Sequence, residues 1–273
     1  MRIIRYLDGG GDPAYACRTA EGKCRKIQGD IFGTFQLTRD EIDASRLLAP
    51  VAPPLIVGVG LNYREHAKEL GMPLPEFPVI FYKSPFSVLN PGDPIRRPPG
   101  PGMDKLDYEC ELAVVIGREC RDVAHSVAFD YVLGYTCAND VSERNWQLDA
   151  ARSGSQWCRG KSFDTFCPLG PAIVTLDEIR TPHDLRIQTL LNGEVMQDSR
   201  TSDMIFDIPR LIEFASIGTT LPAGTVMITG TPPGIGMSRT PPRYLQEGDD
   251  VVIEIEGIGR LENPVTDSPR AAH

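Results

Sequence analysis

Cations are the first thing this sequence is short of. Lysine and arginine number 28 against 37 aspartates and glutamates, giving a formal net charge of -9 and a pI near 5.0. A uniformly basic face for nucleic acid is thereby disfavoured, so an anionic substrate has to be met by local cations or by a metal. Histidine is scarce, at 4 residues, and tryptophan scarcer, at 2. The 7 cysteines form no CxxC pair, and their odd number argues against a disulfide framework or a zinc site. They read as reduced thiols of a cytoplasmic compartment. No window approaches the roughly 18 continuous apolar residues of a membrane-spanning helix, and MRIIRYLDGGG lacks the apolar run of a signal peptide. Also missing are the Gly-Lys-Ser/Thr of a phosphate loop, the third glycine of a dinucleotide fingerprint after GVGLNY, and a GxSxG elbow.

What is present is ordinary globular material. The 273 residues are 41% hydrophobic and 24% charged, enough for one large domain with a core, or a large one plus a small one. Residues 1 to 50 read as a small N-terminal α/β module: a strand MRIIRYL, a turn from Gly9 to Pro13, a return strand from Tyr15, and a helix over Leu37–Leu48 with Thr38 and Glu41 as a capping box. Residues 51 to 273 form the main domain, ending in a loose tail from Ser268. There the spacing predicts many short strands, among them Leu55–Gly60, Tyr108–Ile116, Tyr131–Ala138, Arg186–Leu191 and Asp250–Ile255. It predicts few helices: a short one capped by Asn62 and stopped at Gly71, and another over Ile205–Ile217. The fold class expected is α+β, mainly β.

LDYECELAVVIG is the most informative stretch. Read as one strand, it puts Asp107, Glu109 and Glu111 on one face and Leu106, Tyr108, Cys110, Leu112, Val114 and Ile116 on the other. Clustered acids repel unless water or a cation separates them, so the pattern fits either a solvated edge strand or a hard-metal site. Asp140, ending the next apolar strand, strengthens the metal alternative. His66 and Glu69 share a helix face and can form a base with a carboxylate orienter, although such spacing is also common on solvated surfaces. Arg144, Gln147, Lys161 and Lys83 could serve as anion-binding groups or as plain surface residues. TGTPPGIG reads as a tight turn, or as backbone N–H groups and the Thr231 hydroxyl facing a substrate carboxylate.

GLNYREHAKE, FYKS, DYECELAVVIG, NDVSERNWQ, GKSFDTFCPLGPAIVT, LNGEVMQ and TGTPPGIG follow one another in an order that resembles the fumarylacetoacetate hydrolase family, from about Leu55 to Val265. QWCRGKSFDTFCPLGP and RTPPRYLQEGDDVVIEIEGIG look closest to its domain-containing protein 2 branch. The resemblance implies a mixed β-roll catalytic domain and a homodimer. It implies Mg²⁺ or Mn²⁺, with Ca²⁺ as a further hard-ion alternative, held by Glu109, Glu111 and Asp140. His66 and Glu69 then correspond to a catalytic dyad and Lys161 to an oxyanion-stabilising lysine. Arg144, Gln147 and Thr231 fall on positions that hold substrate. The expected substrate is a small 2-oxo acid, with no nucleic acid or membrane partner. The first expectation is C–C bond hydrolysis of an acylpyruvate or fumarylpyruvate through a metal-held enolate. The alternatives are an oxaloacetate tautomerase or decarboxylase, a dienoate isomerase or hydratase, and a non-catalytic metabolite-binding module. The resemblance leaves a cytoplasmic protein or, in a eukaryote, a mitochondrial-matrix one. Specificity is expected from the His66 helix, acting as a lid, and from Leu148 to Cys158.

Overall fold

The structure is a computed structural model, and it describes residues 1–19, 21–152 and 155–268, so the end of the expected tail lies outside the described residues. In chain order, its main elements are β1 (Arg2–Leu7), β2 (Pro13–Arg18), β3 (Cys24–Gly29), β4 (Phe35–Ile42), β5 (Ile56–Val59), α1 (Arg64–Glu69) and β6 (Ile80–Lys83). Then follow β7 (Cys110–Ile116), β8 (Val132–Asn139), α2 (Arg144–Leu148), α3 (Trp157–Lys161), β9 (Cys167–Thr175), α4 (Ile208–Ser216) and β10 (Val226–Ile228). One sheet orders its strands β4-β3-β2-β1-β9-β8-β7-β10-β5-β6. Along this path only the β10–β5 contact is parallel. A second sheet runs Glu194–Arg200, Arg186–Leu191, Asp250–Ile255, Gly259–Asp267, Ile95–Arg97. The mainly β expectation therefore holds. Among the described residues no helix is long and apolar enough to cross a membrane.

The helix expected over Leu37–Leu48 is absent. Phe35–Ile42 is instead a strand paired with β3, and Leu47 and Leu48 pair with β1. Thr38 does make a local bond, accepting from Asp40 N at 3.2 Å, but within a bulge: Ile27 faces Leu37 while Arg25 faces Glu41. Ladder pairing over eight residues outweighs one capping signal, because short helices draw most of their stability from tertiary packing.

β7 explains how the acids come to be buried. It lies between β8 and β10, and all seven of its residues are inaccessible. Leu112, Val114 and Ile116 pack with Ile187, Ile253 and Leu261 of the second sheet. Ala113 and Val115 pack on the other face with Ile3, Ile56 and Ile228. The alternation thus divides two cores rather than core from solvent, and an exposed acidic edge strand is ruled out. β8 and β9 approach closely at Gly134 of β8, where an added Cβ would lie 2.3 Å from the Val174 carbonyl oxygen. Gly134→Ala is expected to cost about 1–3 kcal/mol, as other overpacked sites do. A lower urea midpoint with an unchanged m-value would show it; an unchanged midpoint would mean that β8 and β9 separate freely.

α4 lies within the stretch expected to be helical but starts at Ile208 rather than Ile205, where Asp207 caps it by accepting from Arg210 N at 2.8 Å. Asn62 does not cap α1, which begins at Arg64 without a side-chain cap. Its fully buried amide instead donates to the Thr229 and Phe206 carbonyls and accepts from Phe206 N. That clamp ties the start of α1 to the strand-end loop after β10.

Candidate active site

The strand read from Leu106 to Ile116 is broken at Tyr108 and Glu109. Leu106 pairs with Glu143 and Asp107 with Ser142, and the long strand begins only at Cys110. Asp107 therefore leaves the other two acids. It accepts from Gly236 N and Met237 N and from Arg144 Nε at 2.9 Å. Glu109, Glu111 and Asp140 converge instead: each offers a carboxylate oxygen, all within 4.8 Å of one another, and all three residues are buried. Asp140 reaches the cluster because it directly follows β8, antiparallel to β7, with its N–H donating to Glu109 O.

Cations compensate this cluster incompletely. Arg144 Nη1 lies 2.6 Å from Glu109 Oε1. Lys161 Nζ bridges Glu109 Oε2 at 2.9 Å and Asp140 Oδ2 at 2.5 Å, and also donates to Ser142 Oγ. Lys83 Nζ donates to the other oxygen of Asp140. Four buried carboxylates, counting Asp107, thus face three buried cations, leaving one negative charge over. The unmatched one is Glu111, whose hydrogen-bond donor is the Gly230 N–H at 2.6 Å. Burial, followed by repulsion from Asp140 and Glu109, pushes its carboxyl well above the ordinary value. Glu109 goes the other way: burial opposes its charge, but Lys161 and Arg144 outweigh it and lower its pKa. A buried all-oxygen donor set with one uncompensated charge fits a hard divalent cation.

His66 and Glu69 meet on α1. His66 Nδ1 lies 2.8 Å from Glu69 Oε2, and Glu69 Oε1 accepts from Gly234 N at 2.9 Å. Burial alone would raise Glu69, but the bonds from His66 and Gly234 prevail and hold its carboxyl below the usual value. With Nδ1 committed to a carboxylate, His66 keeps Nε2 as its free basic atom. The TGTPPGIG loop differs from its expectation. Its N–H groups turn to side-chain carboxylates: Gly230 holds Glu111, Gly234 holds Glu69 and Gly236 holds Asp107. The Thr231 hydroxyl donates to Cys110 O and accepts from Gln197 Nε2.

His66, Glu109, Arg144, Gln147, Lys161 and Thr231 line one cavity of about 260 Å³. Glu69, Glu111 and Asp140 do not line it but are bonded to or clustered with residues that do. Arg144 and Gln147 share one face of α2, joined at 2.7 Å, whereas Asp140 lies outside the helix. Arg144 Nη2 is buried and has no partner among the described residues, which leaves that guanidinium nitrogen for a ligand. Sequence reasoning passed over two residues. The sequence reads Lys83 as an anion-binding or surface residue, with no link to the acids, yet its ammonium sits on Asp140. Gln197 stood only inside LNGEVMQ, yet it accepts from Cys110 N and Thr189 Oγ1 while donating to Thr231 and Pro232.

Comparisons with known families and proteins show where the chain belongs. The Fumarylacetoacetate (FAA) hydrolase C-terminal family matches residues 55–266, and the Rv2993c-like, N-terminal family matches residues 1–50. The chain belongs to the fumarylacetoacetate hydrolase family. It is 47% identical over 220 residues to oxaloacetate tautomerase fahd2, mitochondrial, of Xenopus laevis, covering 80% of this chain and 68% of that one. Among solved structures it resembles 5-carboxymethyl-2-hydroxymuconate delta-isomerase from Mycobacterium smegmatis, with 40% identity and a TM-score of 0.86 over 98% of this chain and 100% of the other. It also resembles 2-hydroxyhepta-2,4-diene-1,7-dioate isomerase from Mycobacterium marinum, with 38% identity and a TM-score of 0.84 over 99% and 100% of the two chains. As a fumarylacetoacetate hydrolase family member, the chain is an enzyme, and its buried acidic triad is able to hold a metal.

Proposed function

We propose that this enzyme is a metal-dependent tautomerase of a small 2-oxo acid, oxaloacetate first, moving a proton between C3 and the oxygen on C2. The observation that carries the reading is the His66–Glu69 pair, which leaves a buried imidazole with a free Nε2 on the wall of the cavity that Glu109 and Arg144 also line. The expectation of C–C hydrolysis gives way to this alternative. The Xenopus laevis relative is named for oxaloacetate tautomerisation and the two structural relatives are named as isomerases. Proton transfer also asks less of the site, since hydrolysis needs a water placed for attack in addition to a base.

Glu109, Glu111 and Asp140 are the residues that would hold Mg²⁺ or Mn²⁺, which when bound supplies Lewis acidity toward the carboxylate and 2-oxo oxygens. His66 Nε2 takes the proton from C3, and Glu69 stabilises the imidazolium that results. Lys161 provides a fixed positive charge for the developing enolate oxygen; Asp140 and Glu109 outweigh the cost of its burial and keep it protonated. Arg144 Nη2 binds a substrate carboxylate, and Gln147 and Thr231 complete the polar end of the cavity. The proton then passes from Nε2 to the oxygen on C2: one C–H bond breaks, one O–H bond forms, and the substrate keeps its composition.

Enol oxaloacetate offered to the Mg²⁺- or Mn²⁺-loaded enzyme should disappear, followed by its ultraviolet absorbance, with no pyruvate formed in a parallel assay. Stoichiometric pyruvate would make the enzyme a decarboxylase, and cleavage of an acylpyruvate with an idle enol would restore hydrolysis. Either result overturns the reading.

A further inference from the structure

The acid and the cations on the cavity wall form one bonded cluster. The cations on its wall are Arg144 and Lys161, and both are bonded to Glu109, at 2.6 and 2.9 Å. Much of the remaining wall is apolar: Leu61, Leu70, Met72, Leu148, Trp157 and Ile235. This surface reaches solvent, since Met72 is 51% and Leu148 44% exposed. Trp157 is fixed in place. Its ring packs on Phe81 with centroids 5.8 Å apart, and a Cβ on Gly60 would come within 3.2 Å of it. Oxaloacetate is charged at both ends and four carbons long. It can use the polar end, where Arg144 has one free nitrogen, but it gives the apolar wall nothing to bury. Apolar surface held open to water is a cost that an apolar ligand group removes.

We infer that the same site tautomerises 2-oxo acids bearing an uncharged apolar group on C3, arylpyruvates foremost; this rests on the tautomerase reading above. The carboxylate and 2-oxo group would take the polar end. The aryl ring would lie against Trp157, Met72 and Leu148, where aromatic and sulfur contacts favour it. The reaction is the same isomerisation. C3 loses a proton to His66 Nε2, the oxygen on C2 gains one, and neither oxidant nor co-reactant is needed. The dicarboxylate and the arylpyruvate thus differ in how they meet the wall, not in the bonds that change.

The experiment compares enol phenylpyruvate with enol oxaloacetate on the metal-loaded full chain. The expected result is catalysed ketonisation of both, with kcat/KM values within about tenfold of each other. Trp157→Ala and Leu148→Asn should each lower the ratio of phenylpyruvate to oxaloacetate kcat/KM, by about tenfold or more for Trp157→Ala, as loss of apolar contacts in a pocket does. Leu148 is half-exposed, so its variant remains informative if Trp157→Ala fails to fold. Turnover of oxaloacetate with phenylpyruvate no faster than in buffer would overturn this inference alone. Inertness toward both enols would overturn the tautomerase reading together with it. A ratio that neither substitution moves would remove the apolar wall as the selecting surface.

Discussion

Replacing His66 with alanine should slow enol turnover by about 10²–10⁴-fold, the range for loss of a positioned general base. Metal binding should survive, because His66 lies outside the carboxylate triad. Glu69→Gln is a sharper test of the same geometry. Gly234 N donates to one Glu69 oxygen, and this contact would select the amide oxygen and turn the amide nitrogen toward His66. That nitrogen donates, so Nδ1 must accept, and the ring proton moves to Nε2. The base would then be present, in place and in the wrong tautomer. A loss of roughly 10²-fold or more is expected, as in other dyads inverted in this way. A circular dichroism spectrum and a metal-induced shift in melting temperature like those of the unaltered protein would exclude unfolding. Activity within a few-fold of the unaltered enzyme in both variants would move the base elsewhere.

The parts of this molecule legible in its sequence are those set by local periodicity. The alternating acids before and within β7 marked Glu109 and Glu111, and the continuous apolar run of β8, typical of a strand buried on both faces, marked Asp140 at its end. The i,i+3 spacing marked His66 and Glu69, because one helical turn suffices to join them. Groups whose roles depend on long-range placement were hidden. Asp107 follows the same alternation as Glu109, but the interruption of the strand at Tyr108 and Glu109 turns it to Arg144 Nε and the Gly236 and Met237 N–H groups, away from Glu111 and Asp140. Lys83 meets Asp140 across 57 residues, through strand order that no local pattern encodes. The N–H groups after β10 look free in sequence, yet carboxylates from three separate segments consume them. Thr38 and Glu41 carried a genuine capping signal, and β3 overrode it by offering a ladder.

Glu111→Gln should produce two effects of opposite sign. Without metal, the substitution removes a buried carboxylate that has no cation of its own and replaces it with a neutral group that still accepts from Gly230. The metal-free protein should therefore melt at the same temperature or higher, since an unpaired buried charge costs more than a bonded amide. With Mg²⁺ or Mn²⁺ at about a thousand times its dissociation constant, the unaltered enzyme should gain about 4 kcal/mol. For a chain of this size that is about 10 °C in melting temperature. The variant should gain almost none of it, and enol turnover should fall with the metal. Adding Glu109→Ala must be worse without metal, because it strands Arg144 and Lys161, each now bonded to Glu109. The two acids, two residues apart, would thus separate in role: Glu109 is matched by Arg144 and Lys161, and Glu111 would be the one available to an ion. A Glu111→Gln protein that loses stability without metal, or gains as much from metal as the parent does, would show that the triad is a structural charge network and not a cation site.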